Sequence, residues 1–312
     1  MNARMTGIEA ALAWNEARSW HHRRWPAERL AAERTASISV CLPARNEAAT
    51  IGAILDALAP LLTRGAIDQL VVVDDSVDGT AEIAADHGAE VHRQSDLRPE
   101  FGPVQGKGDA LWRALEVLRG DVVVFLDADS SLVGNHYACG LAGPIACGGV
   151  AQFVKGFYRR PLQVEDVTMP HGGGRVTEIA ARPLLNLLFP ELAGFRQPLA
   201  GEFAARRDLL ERLPFATGYG VDIGLLIDAW AAVGLGALAQ VDLEVRQNRH
   251  QPLGDLVPMA TAVLHAVLAR AHRDGRLNCP PEQRLQTLDA RGDTLLLDVA
   301  EERPPTVTLL EL

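Results

Sequence analysis

Three short runs of branched and aromatic residues stand out in the first 130 positions: Ile38 to Leu42, Leu70 to Val73, and Asp121-Val-Val-Val-Phe-Leu126. Uninterrupted apolar runs of this length predict strands covered on both faces of a sheet. Between them the apolar spacing becomes helical. Ile51, Ile54, Leu55, Leu58, Leu61 and Leu62 form one stripe. Leu111, Ala114, Leu115 and Leu118 form another, on a helix expected over Lys107 to Leu118. Pro43 is expected to end the first strand, and Asn46 to cap the helix after it, with Glu47 in the first turn. Thr80 to His87 predicts a short helix with Gly88 as its left-handed C-cap, and Glu90 to His92 a further strand. This alternation predicts an α/β fold: a mostly parallel sheet with helices on both faces.

The pattern is less regular after Val150. Val150 to Phe157 and Leu238 to Val245 predict strands. A glycine loop, His171-Gly-Gly-Gly-Arg175, feeds a helix from Val176 that Pro183 should kink or end. Asp208 to Leu213 and Asp222 to Ala232 look helical. Residues 255–273 predict an amphipathic helix with Leu256, Met259, Val263 and Val267 on a face suited to the core or to a second subunit. The first 34 residues, with Trp14, Trp20 and Trp25 among basic residues, read as peripheral helix docking on the core. The last thirty or so residues have no clear pattern.

Composition changes this picture mainly by exclusion. The 312 residues are 48% hydrophobic and 22% charged, as in ordinary globular chains. With 30 basic and 40 acidic residues the net charge is −10, against bulk nucleic-acid binding and against an anionic membrane surface. Cys41, Cys139, Cys147 and Cys279 form no CxxC pair, which argues against structural zinc and redox motifs. No signal peptide and no bilayer-spanning apolar run is evident. A cytoplasmic protein is expected.

The candidate chemistry lies at strand ends. Asp127-Ala128-Asp129 follows the third apolar run, at the sheet edge where open α/β sheets bind ligands. Paired carboxylates there suit a hard divalent cation holding substrate phosphates, although Asp is also common in plain turns. The first strand leads to Pro43-Ala-Arg-Asn-Glu47 and the second to Asp74-Asp75-Ser76. Acidic groups after successive strands can bind a nucleoside's ribose and base edges. Lys107 opens a helix after a glycine turn, a place for a phosphate or a base carbonyl. Gly172, Gly173 and Gly174, with Arg175 and Thr177, make a cradle for a phosphate or carboxylate.

These motifs resemble the glucosyl-3-phosphoglycerate synthase family and its mannosyl relatives, retaining glycosyltransferases of the GT-A fold. The matching stretches are Gly106 to Arg113, Val154 to Pro161, Gly172 to Glu178, Ala181 to Leu184, Gly218 to Gly224 and Ala239 to Arg246. The resemblance runs from about Ser37 to Pro252. It implies a GT-A-like (Rossmann-like) domain over 35–252, with a donor half 35–130 and an acceptor half 131–252. A helical extension, 1–34, would precede it, and a helix and tail, 253–312, would follow. It also implies a homodimer.

The implied reaction moves a hexose, most simply glucose, from a UDP or GDP sugar to 3-phosphoglycerate with Mg²⁺ or Mn²⁺. Donor binding falls to Pro43, Ala44, Arg45, Glu47, Asp75, Lys107, Asp127, Ala128, Asp129, Tyr219 and Asp222. Acceptor binding falls to Gly173, Gly174, Arg175, Thr177 and Arg246. Asp129, Asp222 and Arg246 are the catalytic candidates. Two departures stand out. Asp222 replaces the family's usual Glu and is one methylene shorter. The family's Arg-x-His-x-Asn reads Arg246-Gln-Asn-Arg-His250 here, so Asn248 or His250 would join Asp129 at the metal. These departures leave two alternatives open: the same fold with another donor or another small anionic acceptor, and a sugar-nucleotide-binding protein with impaired catalysis. A nucleotidyltransferase is disfavoured because no glycine-rich phosphate loop follows the first strand.

Overall fold

A computed structural model describes residues 6–130, 134–164, 167–169, 173–246, 252–288, 294–298 and 301–311. Its centre is an eight-stranded sheet. In chain order the strands are β1 (Ser19–His21), β2 (Ile38–Ala44), β3 (Gln69–Asp74), β4 (Glu90–Arg93), β5 (Val122–Phe125), β6 (Phe153–Arg159), β7 (Phe203–Arg206) and β8 (Leu238–Val245). Their spatial order is β1-β8-β6-β7-β5-β2-β3-β4. Only β7 runs antiparallel to its neighbours, β5 and β6. This is the mostly parallel α/β sheet that the alternation predicts.

The apolar runs are central because both faces are covered. Val40, Leu42, Val122 and Val124 point into one buried cluster, and Cys41, Val123 and Phe125 into the other. Ile51, Ile54, Leu55 and Leu58 are buried on the helix Ile51–Leu58. Leu256, Met259, Val263 and Val267 of the helix Leu253–Arg273 pack on the core, so that apolar face is used within the chain.

Several local expectations are corrected. β2 runs through Pro43 to Ala44. Pairing to β5 stops at Cys41, whereas pairing to β3 continues to Ala44. Pro43 faces the side where the ladder has ended, so its missing N–H breaks no bond. Asn46 is not a helix cap. It takes φ 59 and accepts from the Val77 N–H, and the helix starts only at Ile51. Pro183 does not end its helix. A π turn, Thr177–Ala181, leads directly into Arg182–Leu188, and the proline sits in the first turn of that α segment, where a missing N–H is tolerated.

The N-terminal segment is more than a helical extension. After the helix Gly7–Arg18 it supplies β1, paired in parallel with β8. Trp14 and Trp25 are buried, and the Trp14 indole donates to the Leu238 carbonyl at 2.9 Å. At the other end, Arg284–Leu288 and Thr294–Asp298 form a hairpin, and Glu302–Arg303 pairs with Phe215–Ala216. No helix among the described residues is long and apolar enough to cross a membrane.

Candidate active site

A cavity of about 650 Å³ opens at the C-terminal ends of the parallel strands. Pro43 and Ala44 end β2, Asp75 follows β3, and Asp127, Ala128 and Asp129 follow β5. All six line the cavity with Arg45 and Glu47. Lys107, at the start of the helix Lys107–Ala114, reaches the same wall, as do Tyr219, Asp222 and Arg246. Gly173, Gly174, Arg175 and Thr177 line the same cavity. These groups are spread from Pro43 to Arg246, with the strands β3 to β8 between them, yet each candidate within the described residues lines one cavity. Gly172, Asn248 and His250 lie outside the described residues.

The charges are tightly paired. Lys107 Nζ lies 2.8 Å from Asp127 Oδ1 and 3.2 Å from Asp222 Oδ2. Arg246 donates from Nη2 to Asp127 Oδ2 at 2.9 Å and to Asp129 Oδ1 at 2.7 Å. Its Nη1 meets Glu202 Oε1 at 2.5 Å and the Tyr158 hydroxyl at 2.9 Å. That hydroxyl donates to Glu202 Oε2 at 2.8 Å. Burial alone would raise the Asp127 carboxyl, but Lys107 and Arg246 outweigh it and hold it well below the usual carboxylate range. Burial would likewise lower the Lys107 ammonium, and Asp127 and Asp222 hold it above its ordinary value. Glu202 is shifted upward by burial and by Asp127, against the pull of Arg246.

Two close backbone approaches shape the site. A Cβ on Gly201 would sit 2.3 Å from Asp127 Oδ2 and 2.4 Å from Lys107 Nζ, so the chain passes against that ion pair. Gly174 takes φ 74, a left-handed conformation that favours glycine, and the Gly173 N–H donates to the Arg160 carbonyl at 3.1 Å. The glycine loop is thereby pinned to the end of β6.

The donor set fits a hard divalent cation. The Asp129 side chain is half exposed at the cavity and offers carboxylate oxygen. Such ions are commonly held by one or two carboxylates plus substrate phosphates and water. Asp127 carries two cationic partners, Lys107 and Arg246, and Asp129 shares Arg246 with it.

The residues missed from sequence are Glu202, Tyr158, Lys155 and Arg160. Three of them stand in the Val154–Pro161 stretch: Lys155 and Tyr158 are buried polar side chains on β6, and Arg160 follows its last residue. Lys155 is buried, with Nζ donating to the Ala200 carbonyl at 2.7 Å, and burial pushes its ammonium down to about 8. Glu202 lacked any local pattern.

Residues 39–161 match the glycosyl transferase family 2 model. The glucosyl-3-phosphoglycerate synthase of Mycobacterium tuberculosis is 49% identical over 259 residues, covering 81% of this chain and 79% of the relative. That of Petrotoga mobilis is 38% identical over 309 residues, covering 94% of each. The chain belongs to the glucosyl-3-phosphoglycerate synthase family. The mannosyl-3-phosphoglycerate synthase of Rubrobacter xylanophilus shares its fold at a TM-score of 0.86 and 44% identity, covering 96% of this chain and 99% of that one. The M. tuberculosis synthase in complex with Mn²⁺, UDP-glucose and phosphoglyceric acid superposes at 0.82 with 41% identity, covering 93% and 98%. Family membership over nearly the whole chain fits a single cavity carrying both a strand-end carboxylate group and a glycine–arginine cradle.

Proposed function

We propose that this enzyme transfers glucose from UDP-glucose to the C2 hydroxyl of 3-phosphoglycerate, with Mn²⁺ or Mg²⁺, and with retention at the anomeric carbon. The observation that carries the reading is one cavity lined by both motifs. Its strand-end carboxylates suit a metal-bound diphosphate, and its Gly173–Thr177 segment suits a small anionic acceptor. Two relatives of high coverage carry the same activity in their names. The acceptor has one free hydroxyl, so the position of transfer follows from its chemistry.

Asp129 would hold the metal, which supplies Lewis-acid neutralisation of the leaving diphosphate. Lys107 adds positive charge beside the donor, at a helix start that already favours anions. Asp222 Oδ1 is buried and has no hydrogen-bond partner among the described residues. An acceptor left unpaired in a cavity wall calls for a ligand donor, and a sugar hydroxyl supplies one. Arg175, Thr177 and the backbone of Gly174, in a loop that the Gly173 N–H anchors to Arg160, grip the acceptor's charged ends, so that its hydroxyl faces the anomeric carbon. Arg246, tied to Glu202 and Tyr158, fixes the carboxylate pair from behind. No protein nucleophile is required if the hydroxyl attacks from the side on which the diphosphate departs.

A mannosyl donor is the second reading. The likeness to a mannosyl-3-phosphoglycerate synthase favours it, as does the shortened acid at Asp222. Incubating the protein with 3-phosphoglycerate, Mn²⁺ or Mg²⁺, and a panel of UDP- and GDP-hexoses, with products read by mass spectrometry, separates the two. Glucosyl-phosphoglycerate formed fastest from UDP-glucose is expected. A faster GDP-mannose reaction selects the second reading, and nucleotide-sugar binding without any hexosyl product overturns both.

A further inference from the structure

β8 carries an irregularity just before Arg246. Its register against β6 shifts between Asp242 and Val245, and Glu244 takes φ 72, with its N–H donating to Asp242 Oδ1 at 2.8 Å. Bulges re-aim side chains. Here Glu244 stands beside two consecutive histidines at the end of β1. His21 Nε2 lies 3.6 Å from Glu244 Oε1, and His22 Nε2 lies 3.2 Å from the same oxygen. The three candidate ligand atoms all fall within 4.8 Å of one another. None of these residues lines the cavity.

We propose that His21, His22 and Glu244 form a separate binding site for a borderline divalent transition-metal ion of the Zn²⁺ class. Nitrogen and oxygen ligands at tetrahedral zinc lie about 3.4 Å apart, given bond lengths near 2.0–2.2 Å. The two nitrogen-to-oxygen separations bracket that spacing. Two imidazoles and one carboxylate suit zinc-like ions, whereas Mg²⁺ and Ca²⁺ prefer all-oxygen shells.

The setting of His22 also suits a ligand. His22 Nε2 is closed off from solvent, its one polar neighbour among the described residues is Glu244 Oε1 at 3.2 Å, and its side chain is only 13% exposed. The His136 ring packs on the His22 ring with centroids 4.4 Å apart and limits its rotation. An ion between His22 and Glu244 would bind the lone pair of that enclosed nitrogen and the carboxylate it already faces.

Two groups oppose binding, and both can move. Arg23 Nη2 donates to Glu244 Oε1 at 2.7 Å, but that side chain is 76% exposed. His21 Nδ1 accepts from the Arg23 N–H at 3.3 Å. Ligation through Nε2 places the proton on Nδ1, so that long contact is given up. In return the ion ties the edge strand β1 to the β8 bulge, two residues ahead of Arg246.

Untagged full-length protein, stripped with a chelator, would be titrated with Zn²⁺ against a chromophoric competitor, alongside His21→Ala, His22→Ala and Arg23→Ala. Wild type is expected to bind one equivalent more than either histidine variant, or to bind that equivalent more than tenfold tighter. Zn²⁺ should raise its Tm by a margin that both variants lose. Arg23→Ala should bind several-fold tighter. His21 is exposed, so its variant keeps the fold if His22→Ala does not. Co²⁺ in the same site should give a visible band of a nitrogen–oxygen shell. Equal stoichiometry and affinity in wild type and both histidine variants would overturn the proposal. So would a near-ultraviolet thiolate band that disappears in Cys279→Ser.

Discussion

An alanine at position 201 would place its Cβ 2.3 and 2.4 Å from the Asp127 carboxylate oxygens and 2.4 Å from Lys107 Nζ. Tight but tolerated contacts begin at 3.0 Å and ordinary ones at 3.4 Å, so the ion pair must retreat by about 1 Å. Gly201 is not among the residues with positive φ, so the backbone itself accepts alanine. The atoms that move are side-chain tips, and the stability cost should stay near the low end of overpacking, about 1 kcal/mol. Function should suffer far more. Lys107 also holds Asp222, and Asp127 shares Arg246 with Asp129, so one displacement disturbs the whole carboxylate wall. A shift of ~1 Å at a reacting centre costs about a hundredfold, or about 2.7 kcal/mol of barrier. The assay is UDP release from UDP-glucose and 3-phosphoglycerate, with kcat and KM for each substrate and a thermal melt in parallel. A Gly201→Ala enzyme with an unchanged melt and kcat/KM within threefold of wild type would refute the assignment of that ion pair to the reacting site.

Three further outcomes follow from the same geometry. Asp129→Ala should lower turnover by about 10³ and weaken Mn²⁺ binding measured by electron paramagnetic resonance; near-normal turnover after that change sinks the metal assignment. Arg175→Ala should raise KM for 3-phosphoglycerate at least about tenfold, while KM for UDP-glucose moves little, because a charge-assisted donor to the acceptor is lost; equal rises in both KM values would contradict the acceptor role. Burial lowers the Lys155 ammonium to about 8 from its ordinary 10.5, so the unfolded chain holds that proton through a window where the native state has released it. The Lys155 contribution to stability should therefore rise with pH between about 8 and 10.5 and be flat below. Urea unfolding of wild type and Lys155→Met across that range gives the difference, and a difference that falls with pH would reverse the argument.

Much of the sheet was legible because each cue is local. Buried strands β2, β3 and β5 show as runs of branched residues, and the helices between them show as stripes at helical spacing. Local rules failed where the neighbour was distant. Pro43 continues its strand because of where the β5 ladder stops, and Asn46 leaves the helix cap to bind Val77. The candidate site was legible as motif chemistry at strand ends, in the order Pro43–Glu47, Asp75, Asp127–Asp129.

The sequence alone thus determined which residues carry charge into the cavity, since a carboxylate after a buried strand has to emerge at the sheet's edge. Only the tertiary structure decided how those charges are neutralised. Arg246 meets Asp127 across 119 positions, Glu202 backs Arg246 from the turn before β7, and Gly201 leaves room for the Lys107–Asp127 pair. Such pairings depend on which strands become neighbours. The antiparallel insertion of β7 between β5 and β6 and the capture of β1 by β8 set that order. No periodicity within a strand encodes its neighbour, because pairing is selected by the packing of the whole sheet.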